Sequence, residues 1–137
     1  MSGGPPIVLI PLHVRRDPRG NLVAIEPGDG ALGFEIRRVY YIYDVPEGGA
    51  RGGHAHKKLR QLMIAVAGRV DIVLDDGVGR SRVTLEDPSK ALLVTEMMWR
   101  EMDRFAPGTV CLVLASEAFD EGDYIRDYDA FLAAVGP

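Results

Sequence analysis

Along most of the chain, short apolar runs rich in Val, Ile and Tyr alternate with Gly, Pro and Asp punctuation, the pattern of an all-β sandwich or barrel. The runs predict strands over Ile7–Leu12, Asn21–Glu26, Phe34–Tyr43, Gly53–Lys57, Gln61–Ala67, Arg69–Asp75, Arg80–Leu85, Ala91–Thr95, Trp99–Phe105 and Val110–Ala115. Between two of them, Asp75-Asp-Gly-Val-Gly79 predicts a hairpin turn, because glycine tolerates the positive φ that such turns require. The period changes only near the end. Asp127–Val135 lacks β-branched residues until its last position and spaces Tyr128, Phe131, Leu132 and Val135 at helical intervals, so a short helix is expected to lie against the strands. No repeat, linker or low-complexity segment divides the chain, and one domain spanning 1–137 is expected.

Composition agrees with this picture. A chain of 137 residues, 47% apolar and 26% charged, is an ordinary globular length and mixture, able to bury a core without disulfides or structural metal. Cys111 is the single cysteine and sits in the apolar run Thr109–Ala115, where it reads as a small buried hydrophobe. The first residues lack a basic segment followed by a long apolar stretch, and no run approaches 18 apolar residues, so a soluble, cytoplasmic protein is expected. A net charge of -4 argues against a nucleic-acid surface, which needs clustered Lys and Arg. One anionic ligand gripped by a few arginines remains compatible with it.

The candidate chemistry centres on His54 and His56. Two apart in a strand, they project from one face, as two acid-base groups or two ligands of one pocket must. Gly48, five residues, His54-Ala-His56, four residues, Gln61, six residues and Gly68 form a spacing that resembles the first motif of the cupin superfamily. That resemblance implies a double-stranded β-helix, the cupin or jelly-roll barrel, closed around a ligand-sized interior. Metal-binding cupins have Glu at the position of Gln61 and a later histidine. Here the remaining histidine is His13, near the N-terminus, so two imidazoles and a neutral amide make a poor donor set and no metal is expected. Two metal-free histidines suggest proton transfer near neutrality.

The strand before them splits by alternation into Phe34, Ile36, Arg38, Tyr40, Ile42 and Glu35, Arg37, Val39, Tyr41, Tyr43. The first set is the candidate interior, where Arg38 needs an anion and Tyr40 a hydrogen-bonding partner. Tyr41 and Tyr43 read as core-rim or dimer-interface residues.

Arg38-Val-Tyr-Tyr-Ile42, Arg51-Gly-Gly-His-Ala-His-Lys57, Gln61, Asp75-Asp-Gly77, Val113-Leu-Ala-Ser116 and Asp123-Tyr-Ile-Arg-Asp-Tyr128 together resemble the sugar-nucleotide 3,4-ketoisomerases that act on dTDP-4-keto-6-deoxyglucose. Phe119 departs from the family, where Tyr is expected, and is read as lying away from the histidines. The resemblance implies a cofactor-free, metal-independent shift of a carbonyl from C4 to C3 of the hexose, supplying deoxyamino sugars for lipopolysaccharide or S-layer glycans. In that reading His54 is the base at C3, and Tyr40 and His56 donate toward the C4 oxygen or relay protons. Arg38 and Arg51 hold the pyrophosphate and sugar, and Gln61 and Glu35 orient an imidazole. The partner is the dTDP-linked keto sugar, with no nucleic acid and no membrane, and a homodimer is expected. Trp99, Met97 and Met98 read as core. Tyr124, Arg126 and Tyr128 read as packing at the start of the helix. Arg104 and the acidic run Glu117, Asp120, Glu121 and Asp123 read as a solvated loop without a role. A non-catalytic sugar-nucleotide-binding cupin, a metal-dependent cupin and a dTDP-sugar 3,5-epimerase are the alternatives.

Overall fold

The alternating runs fold into twelve strands, all paired antiparallel, in a computed structural model that describes residues 3–26, 28 and 30–136. Met1, Ser2 and Pro137, the ends of the expected domain, lie outside the described residues, as do Pro27 and Asp29. The strands are β1 (Leu9–Pro11), β2 (Val14–Asp17), β3 (Gly20–Val23), β4 (Arg38–Tyr43), β5 (Arg51–His56), β6 (Gln61–Ala67), β7 (Val70–Asp75), β8 (Arg80–Leu85), β9 (Lys90–Val94), β10 (Trp99–Asp103), β11 (Val110–Ala115) and β12 (Tyr124–Ile125). A single α-helix, α1 (Tyr128–Val135), follows. Two five-stranded sheets, ordered β1-β9-β6-β11-β4 and β12-β5-β10-β7-β8, make up the expected double-stranded β-helix, and β2 and β3 form a separate ribbon.

Three apolar clusters follow from the alternation of side chains across each sheet. Between the sheets, Met63, Ala65, Ile72, Leu74, Leu92, Met102, Cys111 and Val113 form the main core, with Tyr40 and Ile42 packed against it. Cys111 is buried there, as its apolar run predicts. On the other face of the first sheet, Leu62, Ile64, Ala91 and Leu114 are covered by Ile10, Leu12, Ile25, Phe34 and Ile36. β6 is thus buried on both faces from Gln61 to Ala65. On the outside of the second sheet, Ala55, Trp99 and Ile125 receive Phe131 of α1. The helix starts where its sequence can cap it, with Asp127 accepting the N–H of Ala130 at 3.1 Å. The Asp75–Gly79 hairpin forms as predicted: Asp76 Oδ1 accepts the N–H groups of Val78 and Gly79, and Gly77 takes φ +93°.

Several expected boundaries move for identifiable reasons. Phe34–Tyr43 is strand only from Arg38, because a 3-10 turn at Gly30–Leu32 and Gly33 at φ +81° redirect the chain just before it. Phe34 and Ile36 therefore pack on the outer cluster and not in the interior with Arg38, Tyr40 and Ile42. β2 carries the polar sequence Val-Arg-Arg-Asp and pairs only with β3, so it has no apolar alternation to announce it. β12 has two residues, too few for a pattern. No described helix is long and apolar enough to cross a membrane.

Candidate active site

A bulge in β5 creates the site. Pairing with β10 runs from His54 opposite Arg100 to Gly52 opposite Glu101, which leaves Gly53 as an extra residue. Gly52 and Gly53 take φ +86° and +77°, conformations an L side chain resists, and a Cβ on Gly52 would sit 2.9 Å from the Arg100 carbonyl oxygen. The two glycines let β5 lie against β10 here. From the bulge onward His54 points inward, and Ala55 points outward beneath α1.

The cavity between the sheets holds about 300 Å³. Arg38, Tyr40 and Ile42 enter it from β4, Arg51 and His54 from β5, Gln61 and Met63 from β6, and Arg100 and Met102 from β10. Tyr124 and Arg126 close one side. Four arginines and no carboxylate line it, a polarity that selects an anion. A larger depression of about 740 Å³, between Val45 and Phe105, has neither His nor Tyr in its wall, so volume alone does not identify the chemistry.

A buried hydrogen-bond chain sets the base of the cavity. Arg100, 1% exposed, donates from Nη1 to Gln61 Oε1 at 2.5 Å and from Nε and Nη2 to the carbonyl of Met98. A guanidinium only donates, so the Gln61 oxygen faces it and the Gln61 amide donates from Nε2 to Tyr40 Oη at 2.9 Å. Tyr40 thereby receives a hydrogen bond and keeps its own O–H free to donate. Burial raises the Tyr40 pKa above its usual value, so the phenol stays protonated. Burial also draws the Arg100 guanidinium down to about 10. Gln61 therefore orients the tyrosine, and not an imidazole as expected.

His54 is pulled down to about 3, chiefly by burial and then by the charge of Arg100, with His56 and Arg126 adding to it. It is neutral at physiological pH, the form a base needs. His56 is fully buried, and burial with the Arg100 charge lowers it too, while Asp123 pulls the other way. These shifts make stability pH-dependent. An unfolded histidine titrates near 6.5, and these two titrate lower when folded, so the unfolded chain takes up protons that the folded chain refuses. The stabilisation is whole above about pH 6.5 and falls as pH drops toward the folded values, by at most about 1.4 kcal/mol per pH unit per histidine. Melting curves at pH 7, 6 and 5 should show a falling Tm, with a shallower fall in His54→Asn; a Tm constant over that range would refute it.

The expected site residues separate. Arg38, Tyr40, Arg51, His54 and Gln61 meet in the cavity. The Arg38 guanidinium lies 4.7 Å from the centroid of the Tyr40 ring, and its Nη1 is buried without a protein partner. His56 stands behind His54 and Tyr124, with ring centroids 4.9 and 4.3 Å away. Glu35 does not join them. Its side chain is 77% exposed, 3.6 Å from Arg37, outside the cavity as the alternation of that stretch placed it. Phe119 has no ring contact with His54 or His56, but it reaches the site's edge, its ring centroid 5.3 Å from the Arg38 guanidinium and 5.7 Å from the Tyr124 centroid.

Four residues went unassigned in the sequence reading. Arg100 shares its strand face with Met102, and an arginine alternating with apolar residues was the available signal. Tyr124 and Arg126 line the cavity, beyond the packing expected of them, and the Arg126 guanidinium stacks 4.1 Å from the Tyr124 centroid. Asp123, placed in a solvated loop, is buried against His56. Tyr128 does pack as expected, donating to Asp75 at 2.6 Å.

Sequence and structure comparisons converge on one group. The model of the family described as FdtA: WxcM-like, C-terminal matches residues 6–136. The chain is 46% identical over 115 residues to a TDP-4-oxo-6-deoxy-α-D-glucose-3,4-oxoisomerase of Aneurinibacillus thermoaerophilus, covering 84% of this chain and 82% of that one. Among solved structures, a 3,4-ketoisomerase from Helicobacter canadensis is 43% identical with a TM-score of 0.90, over 94% of this chain and 96% of the other. A histidine-to-asparagine mutant of the 3,4-ketoisomerase QdtA from Thermoanaerobacterium thermosaccharolyticum, in complex with TDP-4-keto-6-deoxyglucose, is 41% identical with a TM-score of 0.91, over 94% and 93%.

Proposed function

The chain belongs to the FdtA, WxcM-like family and is a TDP-sugar 3,4-ketoisomerase, and we propose that it turns TDP-4-keto-6-deoxyglucose into the 3-keto isomer through His54, Tyr40 and Arg100. One observation carries this assignment of roles. A neutral imidazole and a free phenol share a cavity whose base holds a buried cation that no lining carboxylate offsets.

The hydrogen on C3 is acidic because it lies α to the C4 carbonyl. His54 takes it, the C3–H electrons form the C3–C4 double bond, and negative charge develops on O4. Arg100 and the Tyr40 O–H stabilise that charge where they stand, without reorganising. Tyr40 gives its proton to O4 and recovers one from O3, while the imidazolium returns a proton to C4. One C–H bond is broken and one formed, so no oxidant or reductant is consumed. Arg38 and Arg51 supply the charge to hold a diphosphate, beside Arg126, which Glu121 already pairs at 2.7 Å, and the orphaned Nη1 of Arg38 gains a partner from it. Proton NMR of TDP-4-keto-6-deoxyglucose in deuterated buffer tests the reading. A 3-keto product carrying deuterium at C4 supports it. Binding without exchange points to a non-catalytic cupin, and exchange at C5 to an epimerase.

A second copy of this chain completes the proposal. Val39, Tyr41 and Tyr43 project from β4, an edge strand, and the two tyrosines are each 60% exposed. An aromatic, apolar edge of this kind is covered when it pairs across an interface. Light scattering at micromolar concentration should give twice the chain mass, and a monomer there would contradict it. The cytoplasmic, deoxyamino-sugar setting belongs to the same reading, and coupling the product to an aminotransferase tests it.

A further inference from the structure

The turn joining β5 to β6 is held by a carboxylate that the reaction above does not use. Asp123, 7% exposed, accepts the N–H of Lys58 on Oδ1 at 2.8 Å and the N–H of Leu59 on Oδ2 at 3.3 Å. The same Oδ2 lies 3.1 Å from Nδ1 of His56. An ionised carboxylate only accepts, so the proton of that bond sits on Nδ1 and Nε2 is bare. Nε2 is buried and has no protein partner. The His56 ring meets His54 edge to face, with planes at 89°.

We infer that Asp123 is a positioning residue for the isomerisation: through His56 it sets the tautomer and orientation of the imidazole against which the base is packed. The inference rests on the ketoisomerase reading of the same site. With its proton on Nδ1, His56 offers only a lone pair to the buried space beside His54 and Tyr124. With the proton on Nε2, that space would hold a buried N–H donor, which can be satisfied only by turning one of the three rings. Buried donors are costly to leave unpaired, so the rings turn and the base leaves its place. A misplacement of about 1 Å at a reacting group costs on the order of 100-fold in rate.

Asp123→Asn separates positioning from simple support of the turn. The amide oxygen still accepts from Lys58, while the NH₂ in place of Oδ2 gives up the 3.3 Å bond from Leu59, faces His56 and makes Nδ1 an acceptor, inverting the tautomer as happens when the aspartate behind a catalytic histidine becomes asparagine. Long-range proton–nitrogen correlation spectra should show the wild-type His56 proton on Nδ1 and the variant's on Nε2. The variant's kcat should fall about 10- to 100-fold, with KM within about threefold of wild type. Asp123→Glu should keep the wild-type tautomer and recover part of kcat. An inverted tautomer with kcat within about twofold of wild type would overturn the inference, as would a loss of kcat at unchanged tautomer. The wild-type spectrum is decisive even if neither variant folds, since a proton on Nε2 there refutes it outright. Wild-type protein that binds the keto sugar without turnover counts against the ketoisomerase reading itself, and so against any part for Asp123 in that reaction.

Discussion

His54→Asn is expected to lower kcat by about 10²- to 10⁴-fold, the contribution of a well-placed general base, and to remove deuterium incorporation at C4. Binding should survive. Asparagine is polar and somewhat smaller, and the arginines that face the diphosphate stand apart from it on β4, β5 and beyond β12. Affinity for the keto sugar measured by calorimetry should stay within about threefold of wild type, because the imidazole acts on the C3 proton and not on the anchoring charges. A variant that loses less than about tenfold in kcat would remove His54 from the role of base, and Tyr124, whose ring centroid is 5.0 Å away, would be the next group to examine.

Arg100→Met should lower activity far more than stability. The guanidinium is 1% exposed, and its bonds run to the Gln61 amide oxygen and the Met98 carbonyl, not to a carboxylate. Its pKa, drawn down to about 10 by burial, shows that the fold holds this charge at a cost on the order of 3 kcal/mol. Methionine removes that cost and leaves two acceptors unpaired, at about 1–3 kcal/mol each. The roughly 2–6 kcal/mol lost at the two acceptors brackets the cost removed, so the net change in stability is small beside that expected in activity. Tm should therefore hold or fall modestly. The kcat should fall about 10²- to 10³-fold, because the buried cation at the base of the cavity is gone and the Gln61–Tyr40 bond loses its anchor. Arg100→Lys keeps the charge without the fork and should retain more activity than Met. A large loss of Tm, with kcat falling only as far as the folded fraction does, would show that the arginine is a structural pin.

The two substitutions also show which parts of the site could be read from the chain. His54 and His56 were legible because a period of two in a strand is enough to put both on one side. Arg38 and Tyr40 were legible for the same reason, and the error over Phe34 and Ile36 came from starting that period at Phe34, four residues before the strand begins. Glu35 belonged by alternation to the outward set, and its part in the site came only from the resemblance. Arg100 lies 46 positions from His54 along the chain, yet the two are paired across β10 and β5. Nothing local in Trp-Arg-Glu-Met discloses that pairing. Asp123 is harder still. In sequence it is one acid in an acidic run, and it is buried only because β12 pairs with β5 and carries the preceding turn onto Lys58 and Leu59.

The sequence by itself determined the all-β architecture, the hairpin at Asp75–Gly79, the capped C-terminal helix and the histidine pair. Each of these depends on periodicity or turn chemistry within a few neighbouring residues. Tertiary structure decided what the histidines are. Burial in the closed cavity, with the cation that pairing across the bulge at Gly53 brings up, keeps His54 unprotonated, and burial of Asp123 gives His56 its partner. Protonation states and donor directions are set by desolvation and by charges a few ångströms away, and those distances exist only once strands remote in the chain have closed around the cavity.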